Sequence, residues 1–376
     1  MGRACKPRVV CPILLTLLLL YLLPWFWSGS LQPASGFFNY EVDELLGQER
    51  QGKVQESRSN PDVATVAGLG VDQPRQRKLC PPGSFRVSTM ETCMPWLGCK
   101  EITNEVTTLD RVGSGGIKEV YKAIWRNHTV AYSKLWRPTH LKFFLQGIEM
   151  LKALQHPSVL QYVGSCNTTL LTEFYQLGSG EFIENILKSN AYSKFNNVRT
   201  RFNMALSYLE AIHFLHNSPL GTRVMCDSHN VRKTLTQFLI TQDFKLVLSD
   251  VDVIPEVNHE AHLLIKCRRR RTWSKYVAPE ELWPFGNETY NYLRMPSYDE
   301  KTDIWKIPYV VDYLLGNVNG SDVVRSHLFK VHQQCQNRDP SQRPTTKVLL
   351  EEYNKVKNML FPEHITNSIV NHSRFF

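Results

Sequence analysis

Concentrated charge is scarce in this sequence of 376 residues. The formal net charge is +9 at pH 7, but the basic residues are scattered, and only Arg268–Arg271 forms a continuous run. A nucleic-acid-binding domain needs basic residues clustered on one face, so we expect no nucleic-acid partner. The arginine run itself allows two interpretations, a solvated stretch of surface charge or a site that attracts an anionic partner.

Long apolar runs are equally rare, because only Val9–Trp27 is apolar almost throughout. Its length of about 19 residues is close to what a helix needs to cross a bilayer. Arg3, Lys6 and Arg8 precede it, and the positive-inside bias keeps the short N-terminus cytoplasmic while the remainder crosses the membrane. A cleaved signal peptide is the alternative, but the aromatic run at 25–27 is more typical of an interfacial belt than of a cleavage site. We therefore predict a single-pass anchor.

Cysteines and glycosylation sequons agree with translocation. Seven of the nine cysteines follow the apolar run, namely Cys80, Cys93, Cys99, Cys166, Cys226, Cys267 and Cys335. An oxidising compartment pairs such thiols, and an odd number leaves at least one free or paired elsewhere. N-x-S/T sequons also follow the run, at Asn127, Asn167, Asn287, Asn319 and Asn371. Together these features predict a lumenal or extracellular main domain.

No internal repeat divides the chain, so composition sets its boundaries. Residues 1–8 are the predicted cytoplasmic tail and residues 9–27 the anchor. Residues 28–79 are rich in Ser, Gly, Gln, Pro and charge, as is typical of a stalk or linker. Cysteines frame residues 80–101, which we expect to pack on the domain that follows. That domain spans 102–365, and residues 366–376 form a C-terminal tail.

The main domain changes character along its length. Predicted strands lie within 112–125, 130–135 and 159–175, and a helix with apolar spacing precedes the last of these. Predicted helices at 200–216, 304–315 and 345–359 dominate the remainder. A strand-rich first third followed by helices predicts two lobes with a cleft between them.

A glycine-rich turn lies between the first two predicted strands and contains Gly113, Gly115 and Gly116. Glycines allow backbone N–H groups to approach a phosphate closely, but glycine turns between strands are also common. The context adds weight, because Lys118 and Val120 follow in the same strand and Val130-Ala131 begins the next. This series resembles the protein-kinase pattern G-x-G-x-x-G-x-V followed by V-A-x-K.

Further kinase-like motifs arrive in the family's order. They are Leu154-Gln155-His156-Pro157, Thr172-Glu173-Phe174-Tyr175, Val277-Ala278-Pro279-Glu280, Asp303-Ile304-Trp305 and Asp339-Pro340-Ser341-Gln342-Arg343-Pro344. A generic α/β domain would have to produce the whole series by accident. The resemblance to the protein-kinase family covers the main domain and is specific as a series.

The resemblance implies an α+β, bilobal protein-kinase-like fold behind the N-terminal transmembrane helix, with a β-rich N-lobe and an α-helical C-lobe. It implies ATP and Mg²⁺ (or Mn²⁺) at the cleft. The motif positions imply ATP contacts at Val112, Gly113, Gly115, Lys118, Val120, Glu173 and Tyr175. They also imply that Glu280 and Arg343 form a structural ion pair.

The ATP-binding lysine departs from the family pattern. Ser133 occupies its position and Lys134 comes one residue late, so Lys134 faces the opposite side of the strand. Lys118 lies two residues before Val120 and therefore shares its inward face. This resembles the With-No-Lysine kinases, which take their lysine from that strand. The alternative is a solvated strand lysine in an inactive site.

The glutamate that pairs with this lysine is also displaced. The family position, nine residues before His156, is Gly147, and Glu149 lies roughly 200° around the helix from it. Lys118 therefore either lacks such a partner or finds another.

The catalytic loop retains its acid but not its usual neighbours. Met225 and Cys226 replace His and Arg of H-R-D, while Asp227 remains. An aspartate at this position can orient the attacking hydroxyl and accept its proton. Cys226 and Cys267 flank the region, and a disulfide between them would lock the activation segment without phosphorylation.

Metal ligands follow from counting back along the chain. Asp250 ends an apolar strand as the aspartate of D-F-G does, and the asparagine of the family pattern precedes that residue by thirteen positions, which gives Gln237 here. The loop thus holds about five extra residues, and oxygen ligands suit a hard cation. We predict Gln237 and Asp250 as metal ligands. Asp252 is a candidate second carboxylate, and a loop acid is the alternative.

The segments at 225–228, 278–284 and 297–308 are similar to those of the protein O-mannose kinase family. This resemblance implies an endoplasmic-reticulum type II membrane kinase that phosphorylates the 6-hydroxyl of mannose in a GalNAc–GlcNAc–Man trisaccharide on α-dystroglycan. Two alternatives stay open, a pseudokinase scaffold without catalysis and a lumenal Ser/Thr protein kinase.

Overall fold

The computed structural model describes residues 79–267 and 271–362. The predicted tail, anchor, stalk (except Leu79) and C-terminal segment lie outside these ranges, as do Arg268–Arg270 and the sequon at Asn371. Across the described ranges, none of the helices is both long and apolar enough to span a membrane.

The N-terminal half of the domain is a five-stranded antiparallel sheet. Its strands are β3 (Val106–Ser114), β4 (Lys118–Trp125), β5 (His128–Leu135), β6 (Tyr162–Cys166) and β7 (Thr169–Glu173), in the order β3-β4-β5-β7-β6. The β-branched and aromatic residues of these runs suit a half-buried pleated surface. Helix α2 (Leu141–Ala153) connects β5 to β6 and buries Phe144, Ile148 and Leu151.

The cysteine-framed segment packs on this sheet. Strands β1 (Ser84–Phe85) and β2 (Met94–Pro95) pair, and helix α1 (Cys99–Glu105) follows. Disulfides join Cys80 to Cys93 and Cys99 to Cys166. A Cβ on Gly164 would lie only 2.4 Å from the carbonyl oxygen of Leu97. Glycine therefore lets the segment lie directly against β6.

The C-terminal part is helical, as the sequence predicts. Its helices are α3 (Ile183–Lys188), α4 (Val198–His216), α5 (Val231–Leu235), α6 (Lys301–Leu315), α7 (Ser321–Cys335) and α8 (Thr346–Leu360). The side chain of Asn197 accepts a hydrogen bond from Thr200 N, and this cap begins α4 before the predicted residue 200. Helix α4 buries most of its residues and forms the centre of the large core.

Two short antiparallel strand pairs form the cleft side of this helical lobe. Strand β8 (Thr222–Arg223) pairs with β11 (Glu256–Val257), and β9 (Phe238–Ile240) pairs with β10 (Leu246–Leu248). The small lobe joins β10 through backbone hydrogen bonds, because Leu160 N donates to Leu248 O at 2.8 Å and Leu248 N donates to Ser158 O at 2.8 Å. The segment that follows β10 reaches the start of β4, where Asp250 and Asp252 contact Lys118.

The sequons within the described ranges all lie on exposed residues. Asn127 and Asn167 occupy tight turns between strands, with φ of 67° and 51°, a conformation that asparagine tolerates. Asn287 and Asn319 are exposed in loops of the helical lobe. Each of these four asparagines is therefore accessible to a glycosyltransferase.

Candidate active site

The glycine-rich turn joins β3 to β4 and brings Lys118 into the cleft. Gly115 N donates to Lys118 O at 2.9 Å. In the sheet register, Val120 lies opposite Ser133 and Lys134 lies opposite Glu119. Ser133 is buried and Lys134 is exposed, which confirms that Lys134 faces away from the cleft.

Two carboxylates surround the Lys118 ammonium. Its Nζ lies 3.7 Å from Asp252 Oδ2 and 4.0 Å from Asp250 Oδ1. Burial disfavours the charged ammonium, but Asp252 and Asp250 outweigh that cost and raise the pKa of Lys118. Burial also raises the pKa of Asp252 to about 7; Lys118 opposes this rise, and Asp250 adds to it. Lys118 is therefore a charged group in the site, not a solvated strand lysine.

Asp250 follows β10 by two residues, and its Oδ1, 4.0 Å from Lys118 Nζ, makes no hydrogen bond to any described residue. This oxygen is buried. An unsatisfied buried carboxylate oxygen is costly unless a ligand meets it. Carboxylate oxygens are the ligands that Mg²⁺ and Mn²⁺ prefer. The residue therefore fits the divalent cation that a kinase requires.

Gln237 lies beside Asp250, as counting back predicts. The backbone N–H groups of Ser249 and Asp250 both donate to Gln237 O, at 2.8 and 3.3 Å. The Gln237 side chain is buried, and its Nε2 donates to Lys233 O at 3.2 Å and to Thr236 Oγ1 at 3.0 Å. Because the amide nitrogen is engaged by this turn, the amide oxygen is the group that can face a cation.

Asp227 presents a half-exposed carboxylate on a firmly held loop. Asp303 Oδ2 accepts a hydrogen bond from Met225 N at 3.1 Å. The disulfide Cys226–Cys267 joins the preceding residue to the activation segment, and Arg271 Nη2 donates to Cys226 O at 2.5 Å. The Asp227 side chain is 46% exposed, so an acceptor hydroxyl can reach it.

Lys233 is a site residue that motif matching misses. Its Nζ lies 2.6 Å from Asp227 Oδ2, and its carbonyl oxygen accepts from Gln237. The extra residues of the loop move this lysine out of register with the family pattern. A lysine between a catalytic acid and a predicted metal ligand is the only sequence signal that could have found it.

The two predicted hinge side chains contact each other and the cysteine-framed segment. Tyr175 OH donates to Glu173 Oε2 at 2.8 Å, and Ser88 N donates to Glu173 Oε1 at 2.8 Å. Glu173 is buried at 1% exposure. The Glu173 and Tyr175 side chains therefore tie the hinge to the cysteine-framed segment, and the predicted ATP contacts of these two residues stay a prediction. Val112, by contrast, is half exposed at the edge of the glycine-rich turn.

Two carboxylates in succession fix the activation segment to the helical lobe. Arg343 donates to both oxygens of Glu280, at 2.5 and 2.8 Å, and is almost fully buried. Glu281 forms a second, buried pair with Lys306 Nζ at 3.1 Å. Lys306 also donates to Ser228 Oγ at 3.0 Å, so this second pair reaches the residue that follows Asp227.

Comparison with known proteins agrees with this geometry. Residues 106–307 match the family described as protein tyrosine and serine/threonine kinase. The chain is 45% identical over 284 residues to protein O-mannose kinase of Homo sapiens, covering 75% of this chain and 81% of that one. It is 43% identical over 288 residues to protein O-mannose kinase of Gallus gallus, covering 76% and 82%.

A more distant relative is the tyrosine-protein kinase FRK of Homo sapiens, 26% identical over 270 residues, which cover 66% of this chain and 51% of that one. The bilobal fold agrees with the kinase family match, and the identity to the O-mannose kinases covers about three quarters of this chain. This chain is a kinase, and it belongs to the protein O-mannose kinase family.

Proposed function

We propose that this chain transfers the γ-phosphate of ATP to the 6-hydroxyl of O-linked mannose, within a GalNAc–GlcNAc–Man trisaccharide on α-dystroglycan. The observation that carries the proposal is an unbroken chain of contacts through the cleft. It runs from Asp227 through Lys233 and Gln237 to Asp250, and Lys118 then contacts Asp250 and Asp252. An acid, two cations and oxygen ligands for a metal are the groups that phosphoryl transfer needs. The relatives bear the name O-mannose kinase, which supports a sugar hydroxyl as acceptor.

Lys118 and the backbone N–H groups around Gly113 and Gly115 bind the phosphates in this mechanism. Gln237 and Asp250 would hold the divalent cation, Mg²⁺ or Mn²⁺, which would neutralise phosphate charge. Asp250 Oδ1 makes no hydrogen bond within the described part of the chain, so a ligand oxygen is available there. The site is thus prepared for charge that develops during transfer.

Asp227 acts on the acceptor. Its carboxylate accepts the proton of the sugar hydroxyl as the new bond between that oxygen and the γ-phosphorus forms. The bond between the γ-phosphorus and the β,γ-bridging oxygen breaks, and ADP leaves with that oxygen. Lys233 holds the Asp227 carboxylate in one orientation through their 2.6 Å ion pair.

The catalytic domain is proposed to face the lumen of the endoplasmic reticulum, behind a type II anchor at residues 9–27. Support comes from the apolar run, the three disulfides and the exposed sequons. Endoglycosidase H treatment of the full chain from cells should lower its apparent mass. A chain that carries no N-glycan would contradict this compartment.

The test uses the full-length chain in detergent with ATP and three matched peptides, which are bare, mannosylated or carry the trisaccharide. Mass spectrometry should find phosphate only on the trisaccharide peptide, at mannose. Asp227→Asn should abolish transfer and retain nucleotide binding, while Asp110→Asn on exposed β3 should behave as wild type. Phosphate on the bare peptide would indicate a Ser/Thr kinase, and nucleotide binding without any product would indicate a pseudokinase scaffold. Either result overturns the proposal.

A further inference from the structure

Helix α2 contains a glycine at a buried position in its middle. Gly147 lies in the middle of Leu141–Ala153, between the buried residues Phe144 and Ile148. Glycine in a helix interior costs about 1 kcal/mol relative to alanine. A packing reason is therefore needed for its presence.

The carboxylate of Asp252 fills the space that a side chain at 147 would need. A Cβ on Gly147 would lie 1.9 Å from Asp252 Oδ1 and 2.9 Å from Asp252 Cγ. Even alanine is excluded unless Asp252 moves. The backbone of helix α2 thus packs directly against the Asp252 carboxylate, which reaches the small lobe.

The same carboxylate contacts Lys118. Asp252 Oδ2 lies 3.7 Å from Lys118 Nζ, and the Asp252 side chain is only 8% exposed. One carboxylate therefore contacts helix α2 through one oxygen and the site lysine through the other.

The acidic residue that helix α2 does carry nearby cannot take this role. Glu149 is 67% exposed and pairs with Lys152 at 2.8 Å. Asp250, the other carboxylate near Lys118, lies farther from the ammonium, at 4.0 Å, and its side chain is 38% exposed. Asp252 is accordingly the carboxylate that is placed to orient the lysine.

We propose that Asp252, seated against Gly147, is the positioning residue that holds Lys118 toward the phosphates, in place of a glutamate on helix α2. This inference rests on the proposed function, because it assigns Lys118 to ATP. Relative to the protein-kinase pattern, the lysine thus lies on β4 instead of β5. Its acidic partner lies in the segment after Asp250 instead of on helix α2. Lys118 is consequently oriented by the same segment that would supply the metal ligand. Helix α2 contributes no side chain to this pair; its Gly147 leaves room for the Asp252 carboxylate.

The experiment measures nucleotide affinity by calorimetry in the full-length chain, across a range of Mg²⁺ concentrations and without acceptor. Asp252→Asn should weaken ATP binding by about tenfold, and it should have no further effect in a Lys118→Met background. Gly147→Ala should weaken binding similarly although alanine favours the helix, while Glu149→Ala should bind as wild type. Thermal unfolding verifies that each variant folds.

A relocated carboxylate gives the sharpest test. In Gly147→Glu/Asp252→Gly the acid returns to the helix, and ATP affinity should recover at least about fivefold over Asp252→Gly alone. The inference would be overturned if the relocated carboxylate did not restore affinity, or if Asp252→Asn bound ATP as wild type does. It would also be overturned if the losses in Asp252→Asn and Lys118→Met were additive and the Mg²⁺ dependence shifted, because Asp252 would then be a metal ligand. Because no acceptor is present, failure of the proposed sugar transfer would leave these outcomes unchanged.

Discussion

Lys233 Nζ lies 2.6 Å from Asp227 Oδ2, and the lysine belongs to helix α5, which begins shortly after the catalytic acid. The side chain of Asn230 accepts a hydrogen bond from Lys233 N at 2.8 Å, which fixes the first turn of that helix. The lysine is about one-third exposed, at 34%, so it lies at the mouth of the site and not in the core. Its ammonium can both orient Asp227 and meet the incoming phosphate.

We predict that Lys233→Met lowers kcat by about 10²-fold and changes the KM for ATP much less. The ion pair acts on the group that receives the proton, and loss of one such electrostatic contact costs rates of this order. Initial-rate kinetics on the glycosylated peptide measure the split. Arg232→Met is the matched control, because Arg232 pairs with Glu181 at 2.7 Å instead. An unchanged kcat in Lys233→Met would refute the role.

The two candidate lysines of the small lobe give a second prediction. Lys118→Met should weaken ATP binding by at least about tenfold, because it removes the partly buried cation between Asp250 and Asp252. Lys134→Met should bind ATP as wild type, since Lys134 lies on the opposite, exposed face of the sheet. A Mg²⁺-dependent nucleotide thermal shift separates the two variants. Equal losses in both would contradict the assignment by side-chain direction.

Much of the fold follows from sequence period and order. The apolar spacing of α2 and α8 was predictable because each of these helices buries one face. The start of α4 was less predictable, since the cap at Asn197 begins it two residues before the predicted residue 200. Helix α7, Ser321–Cys335, was not predicted; its polar residues outweigh the few apolar positions, including Val324 and Leu328, that it buries.

Some residues of the candidate site were predictable from the sequence and others were not. Strand period predicted the inward face of Lys118, and counting back from Asp250 predicted Gln237 at its side. The partner of Lys118 was beyond sequence reasoning, because Asp252 reaches Gly147 only when the two lobes pack together. Lys233 was missed because the longer loop removes the spacing on which motif matching depends.

A buried histidine predicts how stability depends on pH. His332 Nε2 lies 2.7 Å from the Tyr353 hydroxyl, and burial lowers the pKa of this histidine to about 4. An ordinary histidine titrates near 6.5, so as the pH falls below that value the unfolded state binds a proton that the folded state refuses. Stability is therefore lost between pH 6.5 and pH 4.

The measurement compares urea unfolding of wild type and His332→Gln at pH 7 and pH 5. The wild type should lose about 2 kcal/mol more unfolding free energy over this interval than the variant, which cannot titrate at that position. Parallel pH dependence in the two proteins would mean that His332 is protonated equally in both states.

The disulfide Cys226–Cys267 gives the last prediction, because it ties the residue before Asp227 to a partner 41 residues along the chain. Closing a loop of this length stabilises the fold by about 4 kcal/mol in the chain-entropy account. Cys226→Ala/Cys267→Ala should therefore lower Tm and also kcat, since the loop that presents Asp227 loses an anchor.

Cys80→Ala/Cys93→Ala is the matched control, because that disulfide closes 13 residues in the small-lobe segment. It should lower Tm without changing kcat at a temperature where both variants remain folded. If both variants lose kcat in proportion to Tm, the bridge beside Asp227 acts only through global stability. A loss of kcat in the first variant alone, with ATP affinity retained, means that the disulfide positions the catalytic acid.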